Sequence, residues 1–198
     1  MSEPREKKGF DAGTVVMVLL LALCVVLFRL TEGDWLRALP VPLFVFLRMA
    51  SIVGVMGIVS YFLGERIPRE WYHPERFPYR SWTWERDGQV YERLGVKRRK
   101  AHAIDMSKFM KRSFPKQHTM SRDPAHLKRL VLEMCNAELV HWVLTLLSPI
   151  FVWLIEGWYG VVIAVGYAYY NLGDVMIQRY NRPRIQMILK RLEKCASC

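Results

Sequence analysis

The chain has 198 residues, 52% of them hydrophobic and 24% charged, and a formal net charge of +11. Length alone allows one soluble domain, but the apolar residues fall in long blocks divided by basic stretches, which points to a membrane protein instead. A nucleic-acid partner would need an organised basic surface on a soluble domain, and the sequence shows none.

Residues 1–13 read as a tail containing Arg5, Lys7 and Lys8. Residues 14–30, "TVVMVLLLALCVVLFRL", carry one charge, near the end. The basic start suits a signal peptide, but no small-x-small cleavage site follows it, so a retained helix is expected. Residues 41–63 carry only Arg48, which either snorkels outward or lines a polar cleft, and complete a helix pair over 14–63. Residues 139–154 and 158–177 supply a second pair, over 138–180. Crossing the hydrocarbon core takes about 20 apolar residues. The expected architecture is therefore all-α and integral to a membrane, with four transmembrane helices. A basic, aromatic-rich cytoplasmic interfacial region, 64–137, lies between helices 2 and 3, and residues 181–198 form a second tail.

Basic residues set the orientation. The N-terminal tail, the 64–137 region with its run "VKRRK", and the C-terminal tail with Arg182, Arg184, Lys190, Arg191 and Lys194 are all basic. The two short links are not. Both termini and the long region are expected on the cytoplasmic side of the cell membrane, facing anionic headgroups. Cys24, Cys135, Cys195 and Cys198 make no disulfide framework there. The ending "CASC" is a lone C-x-x-C, fits C-a-a-X only loosely, and reads as a frayed tail.

The 64–137 region places Trp71, Tyr72, Phe77, Tyr79, Trp82, Trp84 and Tyr91 among arginines, with prolines at 68, 74 and 78 that exclude a long helix. Such a mixture suits the headgroup zone. The stretch "ERDGQVYERLGV" reads as a short amphipathic helix, with Val90, Leu94 and Val96 toward lipid or protein. Further on, Asp123 is a good N-cap and Pro124 a good first helical residue. Leu127, Leu130, Val131 and Met134 follow at helical spacing, so the third membrane helix is expected to begin near Pro124.

Glu138 and His141 then share one helical face. The fourth helix returns to the same side, bringing Asn171, Asp174, Gln178 and Arg179 to the same depth. A carboxylate beside an imidazole can fix its tautomer and raise its basicity, which suits deprotonation of a hydroxyl. Nearby arginines can hold a phosphate or carboxylate. The alternative is a Glu138–arginine salt bridge that pins two helix ends, with His141 merely interfacial. A second candidate is His118 with Asp123, which matches the H-x-x-x-x-D spacing of glycerolipid acyltransferases, although Asp123 also has the capping role. The scattered histidines 73, 102, 118 and 126 lack ligand spacing, and no metal site is expected. Nucleotide-binding and hydrolase signatures are absent from the sequence. Gly160, Gly166 and Gly173 suit close helix packing.

Three blocks resemble the glycosyl-diaponeurosporenoate acyltransferases, small membrane proteins of the staphyloxanthin carotenoid pathway. "WERDGQVYERLGVKRRKAHAID" is similar to that family's W-E-x-x-G-x-x-Y, basic run and Asp. "LEMCNAELVHW" is similar to its E-T-x-R-A-E-x-x-H, and "NLGDVMIQRYNRPRI" to its N-L-P-x-x-x-x-Q-R-Y-N-R-P-R-L. The shared polar positions implied by the resemblance are Glu85, Gly88, Tyr91, Asp105, Glu138, His141, Asn171, Gln178, Arg179, Asn181 and Arg182. The chain departs from the pattern at "AID" for Leu-Pro-Asp, at Gly173 for Pro with Asp174 added, at Asn136 for Arg, and at Arg99 for Trp.

The resemblance implies transfer of a fatty acyl group onto a hydroxyl of a glycolipid or related lipid at the inner leaflet. His141, Glu138 and Asp105 would serve catalysis. Asn171, Asp174, Gln178, Arg179, Asn181, Arg182, Glu85 and Tyr91 would bind substrate, with Arg179 and Arg182 on donor phosphates or the oxyanion. Acyl-CoA or acyl-carrier protein would be the donor, membrane lipids the partners, and no cofactor would be tightly bound. Two other readings are a small membrane methyltransferase or reductase with a similar layout, and a lipid-binding subunit of a membrane complex.

Overall fold

The computed structural model describes residues 12–33, 40–102 and 123–196. Among the described residues all regular structure is helical. In chain order the helices are α1 (Ala12–Leu30), α2 (Val41–Arg66), α3 (Gln89–Arg93), α4 (Val96–His102), α5 (Pro124–Leu147), α6 (Ile150–Leu154) and α7 (Trp158–Ala196). Two 3-10 turns, Arg69–Trp71 and Thr83–Gly88, lie between α2 and α3. Four helices, α1, α2, α5 and α7, are long and apolar enough to cross a membrane.

The chain divides into two compact units, Met1–Ile58 and Val59–Cys198. In the first, α1 exposes most of its Val and Leu side chains, the pattern of a helix made for lipid. Arg48 interrupts the apolar run of α2. Its guanidinium lies 5.3 Å from the Phe28 ring and 5.9 Å from the Phe44 ring, a contact that offsets part of the cost of a cation at that depth.

The second unit is organised by α5 and α7. Asp123 caps α5, its carboxylate accepting from the Ala125 amide at 3.0 Å, and Pro124 occupies the first turn, where its missing N–H is no loss. Leu127, Leu130, Val131 and Met134 then bury against Ile185, Leu189 and Leu192 of α7. The fourth apolar block does not end where its hydropathy falls: α7 is one helix of 39 residues. At 1.5 Å per residue that is roughly 58 Å, about twice the hydrocarbon thickness. The polar stretch from Asn171 to Arg184 therefore sits in mid-helix. Pro183 lies inside it, so the Arg179 carbonyl loses its usual helical donor.

The proline-broken stretch after α2 folds back on α5. Arg69 donates from Nε to Glu133 at 3.0 Å and from a terminal nitrogen to the Gly64 carbonyl at 2.7 Å. The Tyr72 hydroxyl donates to Asn136 Oδ1 at 2.8 Å, and the Tyr72 and Tyr79 rings meet edge to face over Cys135. The expected amphipathic helix is divided into α3 and α4 at Gly95, whose φ of 77° breaks it. Val96 is consequently buried with Tyr91, Ile177 and Tyr180, while Leu94 points outward.

Candidate active site

The polar residues of α5 and α7 form two clusters. The first is a buried ion network. Arg179 donates from Nε to Glu85 Oε1 and from a terminal nitrogen to Glu138 Oε1, both at 2.6 Å. Arg182 donates to the other Glu138 oxygen and to the Tyr79 carbonyl. Glu85 and Glu138 are at most 1% exposed, Arg179 3% and Arg182 1%. The remaining valences are also used. Tyr91 donates to Glu85 at 2.7 Å, the Trp82 amide donates to Glu85 at 3.0 Å, and Arg179 reaches the Pro78 carbonyl at 3.0 Å. The Arg179 guanidinium also lies 4.5 Å from the Trp82 ring. Burial, followed by the hydrogen bond to Glu85, pushes the Tyr91 phenol up and keeps it a donor. Two carboxylates and two guanidiniums balance, which is how charges this deep are tolerated.

One glycine lets this network assemble. Gly88 has φ 88°, and a Cβ there would lie 3.1 Å from the Tyr180 Cα and 3.4 Å from the Arg179 carbonyl. The turn that carries Glu85 thus rests directly on the backbone of α7, at the place where Pro183 withdraws a donor.

The second cluster surrounds His141, whose side chain is 25% exposed. Its Nδ1 is 3.0 Å from Asn171 Oδ1 and 3.8 Å from Asp174 Oδ2. The Asn171 amide nitrogen donates to the Tyr167 carbonyl at 2.9 Å. That bond orients the amide so that its oxygen faces the ring. Nδ1 must then carry the proton, and Nε2 is left with its lone pair free. Asp174, 17% exposed, adds negative charge on the protonated side of the ring. The arrangement leaves Nε2 as the ring atom able to accept a proton from a hydroxyl.

This geometry revises two expectations. Glu138 does not orient His141, although they share a face of α5, because both its oxygens are engaged by Arg179 and Arg182. The carboxylate at the imidazole is Asp174. Arg179 and Arg182 present no open fork to a ligand, since each is saturated by buried carboxylates and carbonyls. Tyr91 and Glu85 belong to the ion network. Gln178 and Asn181 are partly buried on α7. Asp123 is the cap of α5, and Asp105 and His118 lie outside the described residues. No group of three or more His, Cys, Asp or Glu side chains that could hold a metal occurs among the described residues.

Arg99 and Gly173, two separate departures from the family pattern, prove to be one feature. The Arg99 guanidinium rests on Gly173, where a Cβ would fall 1.8 Å from its Cζ. It donates to the Tyr170 carbonyl and lies 5.6 and 5.3 Å from the Tyr169 and Tyr170 rings. Nothing in a single sequence pairs these positions. Trp82 likewise carries no site signal in the sequence, because its contribution is a backbone N–H and a ring face.

The family model described as glycosyl-4,4'-diaponeurosporenoate acyltransferase matches residues 68–191. The match takes in both clusters. Among relatives bearing that name, the protein of Staphylococcus aureus strain MRSA252 is 27% identical over 139 residues, covering 67% of this chain and 80% of the relative. Those of strains bovine RF122 / ET3-1 and N315 are 26% identical, with the same coverage. No solved structure matches. The chain belongs to the glycosyl-4,4'-diaponeurosporenoate acyltransferase family and is an acyltransferase with four helices able to cross a membrane.

Proposed function

We propose that this acyltransferase moves a fatty acyl group onto a hydroxyl of a glycolipid, or of a related lipid, at the inner leaflet of the cell membrane. Both termini and the basic, aromatic-rich 64–137 region lie on the cytoplasmic side in this reading. The excess of arginine and lysine there supports that orientation. An acyl-CoA or an acyl-carrier protein supplies the acyl group from that side, and no tightly bound cofactor is needed.

The observation that carries the reading is the 3.0 Å contact between His141 Nδ1 and Asn171 Oδ1. With Nδ1–H held by Asn171, Nε2 takes the proton of the acceptor hydroxyl as its oxygen attacks the thioester carbonyl. The thiolate leaves, and the imidazolium, steadied by Asp174, returns the proton to it. The buried network of Glu85, Glu138, Arg179 and Arg182 holds α5, α7 and the Trp82–Tyr91 segment in register, so that His141 and Asn171 meet.

The test is acyl transfer by purified protein in lipid nanodiscs, with labelled acyl-CoA or acyl-carrier protein and a glycolipid extract. Wild type should label a lipid, and His141→Gln should fall about 10²–10⁴-fold with an unchanged melting temperature. Equal transfer by both proteins would remove His141 from the mechanism.

A further inference from the structure

A separate concavity lies away from the His141 cluster. It has a volume of about 400 Å³ and is lined by Trp84, Arg86, Gln89, Val90, Glu92 and Arg93. Ligand cavities begin at about 300 Å³. Its walls are firmly mounted. Glu85 and Tyr91, interleaved with the lining residues in the chain, belong to the buried network, and Glu92 accepts from Tyr180 of α7 at 2.9 Å.

The charge of the lining is unbalanced. Glu92 is the single carboxylate among the described lining residues, and that charge is already spent on Lys97 at 3.2 Å and on Arg184. Lys97, together with Arg184, holds the Glu92 carboxyl below the usual range. Arg86 and Arg93 pair with no carboxylate among the side chains that the structure describes, and the Trp84 ring beside them is exposed. Arg86 also has a φ of 47°, a left-handed conformation that an arginine rarely adopts. Strain of this sort gathers where a side chain is held ready for a ligand.

We infer that this cavity receives the phosphate end of a pantetheine thioester donor, with the phosphate on Arg86 and Arg93 and the Trp84 ring free to stack on an adenine. The inference rests on the acyl-transfer reading above. Spacing supports it. Arg184, which holds the cavity's Glu92, lies ten residues beyond Asp174 on α7, roughly 15 Å along the helix. An extended pantetheine arm covers that distance, so phosphate at the cavity and thioester at His141 are compatible.

The test compares wild type with Arg86→Gly/Arg93→Gln. Glycine suits the backbone at position 86, so the variant should keep its melting temperature. Turnover is measured with acyl-CoA, acyl-phosphopantetheine and acyl-pantetheine, in nanodiscs of neutral and of anionic lipid. The variant should raise KM about tenfold or more for the two phosphate-bearing donors and leave acyl-pantetheine unchanged, in both bilayers. A loss spread equally over all three donors, or no loss with either phosphate donor, overturns the inference. A loss seen only in the anionic bilayer also overturns it, because the arginines then serve lipid phosphate. Calorimetric titration with coenzyme A decides independently of turnover. Saturable binding weakened in the variant upholds the cavity even where the chosen acceptor is not acylated, whereas no saturable binding to wild type sinks it. Absence of transfer from every donor, beside retained coenzyme A binding, would instead count against the acyl-transfer reading.

Discussion

The Arg179 guanidinium meets the Glu138 carboxylate at 2.6 Å, with both side chains at most 3% exposed. A carboxylate on α5 and an arginine in the middle of α7 are thereby fixed against each other. Because Arg179 also holds Glu85, the turn before α3 joins the same assembly. Removing one partner leaves a buried charge without compensation. Glu138→Ala is expected to destabilise the folded protein by about 3–5 kcal/mol, measured by denaturant titration in detergent micelles. A double variant that also replaces Arg182 by Met should recover part of the loss. A Glu138→Ala protein as stable as wild type would show that the network does not hold the fold.

Asn171 acts on His141 by setting which nitrogen carries the proton. Asn171→Leu removes the acceptor for Nδ1–H, and kcat should fall about 10²-fold, part of what a positioned base contributes, with KM little changed. Asp174→Asn keeps the shape and removes the charge, so its loss should be smaller. A larger loss from Asp174→Asn than from Asn171→Leu would reverse these two roles.

Gly173→Ala puts a methyl group where the Arg99 guanidinium now rests. The end of a flexible side chain can move aside, so the cost in stability should be small. The displaced Arg99 should become a faster site for trypsin in timed digestion. In an Arg99→Ala background, Gly173→Ala should have no stability cost, a coupling that a double-mutant cycle measures. Unchanged cleavage after Arg99 would contradict the packing described.

Gly88→Ala faces two obstacles, a left-handed φ and the approach of the Tyr180 backbone. Left-handed backbone alone costs a side-chain-bearing residue about 1–2 kcal/mol, and the missing clearance adds to that. The melting temperature should fall, and activity should fall with it, because the turn carrying Glu85 can no longer rest on α7.

The Tyr91 phenol predicts a pH response. Its pKa is raised in the folded protein, by burial first and then by the bond to Glu85. The stabilisation is fully present below the unfolded phenol value of about 10 and is lost as pH rises beyond it, where the unfolded chain ionises and the folded one does not. An absorbance titration near the phenolate band should therefore include a late-ionising class, and Tyr91→Phe should remove one phenol from it. Early ionisation of every tyrosine would refute the buried bond.

Some of this architecture is legible in the chain because it depends on neighbours in sequence. Asp123 and Pro124 start α5 through a bond two residues long, and the apolar spacing of Leu127 to Met134 marks the buried face. Four apolar runs mark four membrane-length helices, because hydrocarbon thickness fixes the length required. Hydropathy understates the fourth helix, whose apolar block reads as 158–177 while α7 runs on to Ala196, because backbone hydrogen bonding follows the chain and not its polarity.

What only the tertiary structure decides are the partners. Spacing places Glu138 and His141 on one face of α5, but their orientations depend on which residues of α7 come opposite. Arg179 and Arg182 take Glu138, and Asn171 with Asp174 takes His141. A buried guanidinium must be neutralised, and the nearest carboxylates serve that need before any substrate can. The contact of Arg99 with Gly173 and that of Gly88 with Tyr180 have the same origin. The part each glycine plays arises only where another segment approaches it closely.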